Sequence, residues 1–350
     1  MSTPTLADRP APVAPEQSRA QRLTELVFRV RESGIIVVLV VFVAVATAIQ
    51  PRFLSESNIR FILVNTVVFA LLALGETMVV VSRNVDLSVG SVLGLSAYCS
   101  TSLFGDHHGI PIVVVFLVGA AIGLACGAFN GAIVAVGRVP SLVVTLASLY
   151  IIRGIDILIV GGNEVVASSL PNSFIQIPRA NIAGVPYLAI VVAVVIGIGA
   201  YYMRSFRSGR ELYAIGSNPE GAVLAGISTG KRVFTAFAIS GLIAGVAGVL
   251  WAAQYETIDS TAGTGYELQV ISAVVVGGVA IFGGSGTAVG AALGALLLST
   301  ISTALNVLGI SPFWFQTTSG VLLLVAITLD AVISRKLAQA LRSRSARRDI

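Results

Sequence analysis

The stretch of this chain that comes closest to a nucleotide site is Gly226-Ile-Ser-Thr-Gly230-Lys231-Arg232. A phosphate-binding loop places four residues between its glycines and follows them with Gly-Lys-Ser/Thr, so that amides surround the phosphates and a hydroxyl reaches magnesium; here three residues intervene and arginine follows the lysine. Gly283-Gly284-Ser285-Gly286 has no strand before it and reads as a turn. The only two histidines, His107 and His108, adjoin Asp106, and adjacent residues cannot by themselves complete a metal site, so this is read as a solvated outer loop. With both histidines in one loop there is no nucleophile–base constellation, and the chain reads as neither an enzyme nor an ATPase.

Five ionisable residues, Glu76, Asp86, Arg153, Asp156 and Asp330, interrupt otherwise apolar stretches. Each costs several kcal/mol in lipid unless it is paired. Arg153 and Asp156 are spaced to neutralise each other on one helix face. Asp86 and Ser88 stand where a carboxylate and a hydroxyl cap the first amides of a helix, or serve as a gate. Glu76 is within reach of Arg83 as a partner. Glu256, Asp259 and Glu267 form an acidic outer segment suited to basic groups on an external protein.

The elements that must position these residues follow from composition. With 350 residues, 55% hydrophobic and 11% charged, the chain has too little polar surface to cover a water-soluble globule of this size. Ten apolar runs approach the ~20 residues that cross a hydrocarbon core: 34–50, 61–81, 87–104, 111–136, 141–160, 186–203, 233–254, 266–282, 288–308 and 315–333. Backbone groups in lipid must then be paired within helices, so the expected fold is all-α, a polytopic helical bundle spanning 33–334. Cys99 and Cys126 lie inside spans and behave as small apolar residues. Ala46-Thr47-Ala48 mimics a signal-peptidase site, but the polar region before the first apolar run is too long for a signal peptide, and 34–50 is read as a retained span.

Alternation of ten spans from a cytoplasmic N-terminus puts eighteen of the 22 Lys and Arg on the inner side, leaving Arg52, Arg60 and Arg179 outside and Arg153 within a span. Both termini are therefore expected in the cytoplasm of a bacterial inner membrane. Residues 1–32 form a mobile N-terminal tail, and 335–350 a basic C-terminal tail. Dispersal of the basic residues over membrane-flanking segments accounts for the net charge of +5 through lipid and topology, without nucleic acid.

Gly119, Gly123, Gly127 and Gly131 recur every fourth residue, as do Gly286, Gly290 and Gly294, and Gly241 with Gly245, so a neighbouring backbone can approach each face closely, or slide over it. Val89-Gly90-x-x-Leu93-Gly94 is similar to Val289-Gly290-x-x-Leu293-Gly294, without a constant offset that would establish a repeat. The longest inner connection, 204–232, carries a short helix at 219–225. Asn218 is its N-cap, Pro219 its first residue, Glu220 an acid at its positive end and Gly226 its left-handed stop. Val223, Leu224 and Ile227 give it a small apolar edge, suited to a groove on a partner or to the lipid interface.

Three blocks, 74–96 (LGETMVVVSRNVDLSVGSVLGLS), 130–154 (NGAIVAVGRVPSLVVTLASLYIIRG) and the 209–227 loop joined to 263–294, together resemble the ribose-type sugar ABC importer permeases over roughly residues 60–330. Arg83-Asn84 stands where that family more commonly has two glycines, a departure similar to rhamnose and autoinducer-2 permeases. The resemblance implies the permease subunit of an importer for a monosaccharide (pentose, deoxyhexose or small polyol), with ATP and magnesium on a separate cytoplasmic sugar-type ATPase and none bound here. It further implies an extracytoplasmic solute-binding protein and a second permease subunit, identical or not. The family's coupling segment maps onto Gly209, Gly216, Asn218, Pro219, Glu220, Ala222, Gly226 and Ile227. Asn65, Asn130, Thr145, Asn306 and Gln316 are placed to line a path for hydroxyl-bearing cargo, or to join helices. An ion-coupled secondary transporter is the competing reading, and it asks for a carboxylate deep in the bilayer.

Overall fold

Lipid offers no partner to an open peptide group, and nearly all of this chain answers that constraint with helix. The computed structural model describes residues 32–106, 109–311 and 313–328; His107, His108, Asp330 and the two expected tails, apart from residue 32, lie outside the described residues. Six helices are long and apolar enough to cross a membrane: α2 (Glu56–Val81), α4 (Ile112–Gly137), α5 (Ser141–Val160), α6 (Tyr187–Ser205), α9 (Thr229–Tyr255) and α11 (Ala288–Val307). Four apolar helices are shorter: α1 (Ser33–Ile49), α3 (Val89–Thr101), α10 (Tyr266–Val276) and α12 (Trp314–Thr328). Two more, α7 (Arg207–Ser217) and α8 (Pro219–Leu224), make up the inner connection. The only regular strands among the described residues are the two-residue pair Asn181–Ile182 and Val185–Pro186, turned by Ala183 and Gly184 at positive φ.

α2 is the axial helix, buried along almost its whole length, while α4, α5 and α6 leave most of their apolar surface open. A side chain such as Leu158 on α5 or Val113 on α4 is exposed because its solvent is hydrocarbon. The most extensive helix contact joins α4 to α9. Its cause is the glycine face of each: a methyl on Gly123 would overlap the carbonyl oxygen of Gly241, and one on Gly241 that of Gly123, while one on Gly245 would overlap the carbonyl oxygen of Gly119 and one on Gly119 the side chain of Val249. Backbone meets backbone there, and Cα–H groups face carbonyl oxygens.

Two of the expected spans depart from full-length helices. The run 266–282 is helical only to Val276, because residues 277–286 include Gly278, Gly283, Gly284 and Gly286 at positive φ, a course open to glycine and closed to a continuing helix. The run 87–104 becomes helix only at Val89 and breaks after Thr101. α3 and α10 are thus half-length helices, each entered from a non-helical segment, 82–88 and 256–265. The two similar glycine motifs hold the short α10 from either end. Gly90 and Gly94 press on the carbonyls of Gly263 and Ala262, and Gly290 and Gly294 on those of Gly277 and Ala273.

If the α4–α9 contact depends on absent side chains, Gly123→Ala will lower the thermal unfolding midpoint of the detergent-solubilised protein, by an overpacking cost of about 1–3 kcal/mol. Gly154→Ala, whose Cβ meets nothing within 4 Å, will leave that midpoint unchanged or slightly raise it. Equal midpoints for the two variants would refute the close approach.

Candidate coupling site and buried polar network

The polar residues inside the bundle are best understood from the peptide groups they serve. Between α2 and α3 the chain runs as non-helical backbone: the amides of Ser82, Arg83 and Asn84 still bond the last turn of α2, but those of Val85, Asp86 and Ser88 are bonded by side chains. Side chains take over: Glu76 Oε1 accepts the Asp86 amide at 3.0 Å, and Asp86 Oδ1 accepts both the amide and the hydroxyl of Ser88, at 2.9 and 2.6 Å. Ser141 Oγ accepts the Val85 amide, and the Thr145 hydroxyl donates to the Val85 carbonyl. From Ser88 the chain of bonds continues, with Asn130 Nδ2 donating to Ser88 Oγ at 2.8 Å and Ser148 Oγ donating to Asn130 Oδ1 at 2.5 Å. Helices α2, α3, α4 and α5 are thereby joined through one connected polar network, in which Glu76, Asp86, Ser88, Asn130, Thr145 and Ser148 are buried and Ser141 is half-buried.

This differs in detail from the sequence reading. Asp86 organises the turn ahead of α3 through Ser88 itself, and Ser88 at the N-cap bonds no amide of the first turn with its side chain. Glu76 is fully buried and bonded to the Asp86 amide; among the described residues it forms no ion pair with Arg83, which is exposed at the base.

The second entry segment is served by a cation as well as by carboxylates. Arg153 Nη1 donates to the carbonyls of Ser260 and Ala262 at 3.0 and 2.7 Å, while its contact with Asp156 is longer, 3.5 Å. The expected ion pair exists, but the shorter bonds of the guanidinium serve the backbone beside α3. The acidic outer segment is likewise occupied: Glu256 pairs with Arg179, Asp259 accepts from Thr261, and Glu267 accepts the Gly265 amide next to Gly90. Each of the three carboxylates thus has a hydrogen-bond partner within this chain.

The five path candidates fall into three places. Asn65 accepts from Gln254 at 2.5 Å, Asn130 and Thr145 belong to the buried network, and Asn306 and Gln316 are exposed on α11 and α12. Among the described residues these three places are separate from one another.

The connection between α6 and α9 is braced against the bundle. Gly209 and Gly216 are buried, and any side chain there would overlap the backbone of Tyr202 and Met203, or of Val81 and Gly284, so α7 lies flat on the base. Glu211 accepts from Arg207 at 2.7 Å and from Arg232 at the start of α9, and these guanidinium bonds hold its carboxyl below the ordinary carboxylate range. Asn218 Oδ1 accepts the Gly221 amide at 3.0 Å and so caps α8, with Pro219 first and Glu220 exposed in the first turn. At the other end the Ile227 amide bonds the Ala222 carbonyl and the Gly226 amide that of Val223, with Gly226 at φ +76°, which closes the helix in a Schellman turn. Ala222 is buried and Ile227 half-buried, whereas Val223 and Leu224 protrude at 60% and 88% exposure.

Beside this knob opens a cavity of about 690 Å³ lined by Val223, Arg83, Asn84, Arg138 and Ser141, among others. Arg83 and Arg138 hold φ of 67° and 53°, a region that costs a residue with a side chain about 1–3 kcal/mol and marks functional segments. The cavity thus lies between the knob and the segment that leads into Asp86. Sequence reading missed Glu211 with its two arginines, and also Ser148, Gln254 and Arg138. The spacing Arg207–Glu211 was the available signal for the first; Ser148 and Gln254 are paired across more than a dozen residues, and Arg138 is marked by its positive φ, which residue type does not report.

Comparison with known proteins adds the following. Residues 58–327 match the family model described as branched-chain amino acid transport system / permease component. The chain is 33% identical over 313 residues to the autoinducer 2 import system permease protein LsrC of Enterobacter sp. (strain 638), covering 89% of this chain and 90% of that one. It is 33% identical over 302 residues to the ribose import permease protein RbsC of Haemophilus influenzae, covering 86% and 93%. To that of Escherichia coli (strain K12) it is 34% identical over 301 residues, covering 85% and 93%. No solved structure matches.

Two outcomes test this geometry. Asn130→Leu strips the Ser88 and Ser148 hydroxyls of their shared partner and is expected to cost about 1–3 kcal/mol in thermal unfolding, whereas Asn306→Leu on the exposed face is expected to be near neutral. Because the Glu211 carboxyl is stabilised when charged, its clamp is intact at neutral pH and is lost as pH falls through its lowered pKa. Protection from hydrogen exchange across Arg207–Ser217, taken relative to the unfolded chain at the same pH, should be high at neutral pH, fall as pH drops through the lowered pKa of Glu211, and be low at neutral pH in Glu211→Gln. Slow exchange in that variant at neutral pH would show that the clamp does not hold α7.

Proposed function

Because the chain belongs to the family of branched-chain amino acid transport system permease components, we propose that it is the membrane-spanning subunit of a binding-protein-dependent importer of a monosaccharide or related small polyol. It is a transport permease and not an enzyme, a multi-pass protein of the inner membrane. A carbohydrate is favoured over the amino acids of the family description because the named relatives, which import ribose and autoinducer 2, align over nearly their whole length. ATP and magnesium are handled by a separate ATPase, and a soluble binding protein delivers the cargo from outside.

The observation that carries this reading is the protruding Val223–Leu224 knob, capped at both ends, clamped through Glu211, and separated by one cavity from the Arg83–Asp86 segment. ATP-driven closure of the ATPase presses on the knob. The cavity wall moves, and the buried network, which ties four helices together, converts that push into an exchange between outward and inward openings. Both termini face the cytoplasm, and ten apolar helices cross or enter the membrane. Since the polar path candidates lie in three separate places within one chain, the passage runs between this subunit and a second permease, identical or homologous.

The test is reconstitution with the ATPase and the binding protein. Sugar uptake should require both together with ATP, whereas uptake that persists without the ATPase and collapses with an uncoupler would establish the ion-coupled alternative. Leu224→Asp and Gly226→Pro should each reduce ATPase association about tenfold or more, the loss of one apolar anchor from an interface, while membrane insertion is unchanged. Full association of both variants would remove the knob from the mechanism.

A further inference from the structure

Where α6 passes into α7, a cavity of about 420 Å³ opens beside α11, lined by Arg204, Arg210, Glu32 and Thr287 among others. Arg204 and Arg210 are exposed, and among the described residues neither enters an ion pair. Glu32 is fixed by the Thr287 hydroxyl, which donates to its Oε1 at 2.6 Å while the same oxygen caps α11 through the Gly290 amide. The pocket therefore offers two cations that can grip an oxyanion in a fork, and one oriented carboxylate beside them.

A second cavity, of about 330 Å³ and almost wholly apolar, continues along the same two helices and shares Val289 with the first. On α6 it is lined by Ala193, Ile196 and Gly197, on α11 by Leu293 and Leu296. Arg204 to Ala193 spans roughly 16 Å of helix, about the depth of one leaflet of a ~30 Å hydrocarbon core. Charged groups at one end and an apolar trough one leaflet long at the other match an amphiphile and no small soluble ion.

We propose that this groove between α6 and α11 binds one glycerophospholipid carrying a primary amine, its phosphate on Arg204 and Arg210, its ammonium on Glu32 and an acyl chain along the trough. Phosphatidylglycerol would satisfy the arginines and leave Glu32 against a neutral glycerol; phosphatidylcholine has no N–H to donate to it. Occupancy braces the joint between α6 and the flat helix α7, the base on which the knob is carried. Placement in the cytoplasmic leaflet rests on the orientation proposed above, but the site itself does not.

The full chain, purified in detergent and stripped of lipid, is offered palmitoyl-oleoyl phosphatidylethanolamine, phosphatidylglycerol or phosphatidylcholine, and retention is read by native mass spectrometry. Wild type should retain the ethanolamine lipid at least threefold better than the choline lipid. Glu32→Gln should erase that preference, and Arg204→Glu with Arg210→Glu should abolish retention of all three. Gly197→Trp, at a position where a Cβ meets nothing within 4 Å, fills the trough and leaves the headgroup pocket intact; retention should fall at least threefold. Equal retention of the three lipids by wild type, or retention unchanged by the double arginine variant, overturns the proposal. So does retention unchanged in Gly197→Trp, which would reduce the site to an anion pocket. None of these readouts uses transport, so they stand or fall apart from the importer reading.

Discussion

Two stretches of non-helical backbone lead into short helices of an apolar bundle, and the need to bond those of their peptide groups that turn inward organises the rest of the molecule. Between α2 and α3, Glu76, Asp86, Ser141 and Thr145 bond the amides of Asp86, Ser88 and Val85 and the Val85 carbonyl. Between α9 and α10, Arg153 takes the carbonyls of Ser260 and Ala262. Donor and acceptor are matched by charge: carboxylates where open N–H groups point inward, a guanidinium where open C=O groups do. Glu76, Asp86 and Arg153 are thereby tied to broken helix, and removing any of them would strand a peptide group as well as a charge, whereas buried Asp156 bonds no peptide group and faces Arg153.

Breaking two helices requires the remaining ones to be unusually close. The reciprocal contacts of Gly123 with Gly241 and of Gly119 with Gly245 bring α4 and α9 to backbone distance, and α3 and the entry to α10 rest on each other through Gly90, Gly94 and Gly263. A frame of that kind has few soft degrees of freedom, because close-packed backbone cannot be compressed and buried polar bonds cannot be exchanged for water. In the proposed mechanism, movement at the base is therefore transmitted and not absorbed. The strained turns at Arg83 and Arg138 are where the frame meets the cavity beside the knob.

What could be read from sequence was whatever lipid or local chain geometry dictates. Six of the ten apolar runs are long helices, and the cap at Asn218 and the left-handed stop at Gly226 are local events complete within four residues. The resemblance carried by residues 74–96, 130–154 and the 209–227 loop agrees with the family match over 58–327. The truncation of α10 at Val276 escaped, because hydropathy continues through Val279, Ala280, Ile281 and Phe282 while the glycines that end the helix look equally like packing glycines. Asn65 and Asn130 were legible as polar residues in spans but not as partners of Gln254 and Ser148, since residue type reports a need for a hydrogen bond and never its far end. Arg153 and Asp156 misled in a related way. Their spacing implies mutual neutralisation, yet a carbonyl 109 residues away binds the guanidinium more closely.

The same assignment of charges bears on what can pass. A carrier of ions or of charged solutes must keep ionisable groups free to meet its cargo at membrane depth. Here Glu76 and Asp86 bond amides, Arg153 bonds carbonyls and Asp156 faces Arg153. Hydroxyl and amide side chains such as Ser148, Thr145 and Asn130 outnumber charges among the described buried residues, and the groups they offer are neutral donors and acceptors. Cargo that enters such a bundle gains most if it is uncharged and rich in donors and acceptors, and a sugar meets that description without requiring any charge to leave the peptide group it serves.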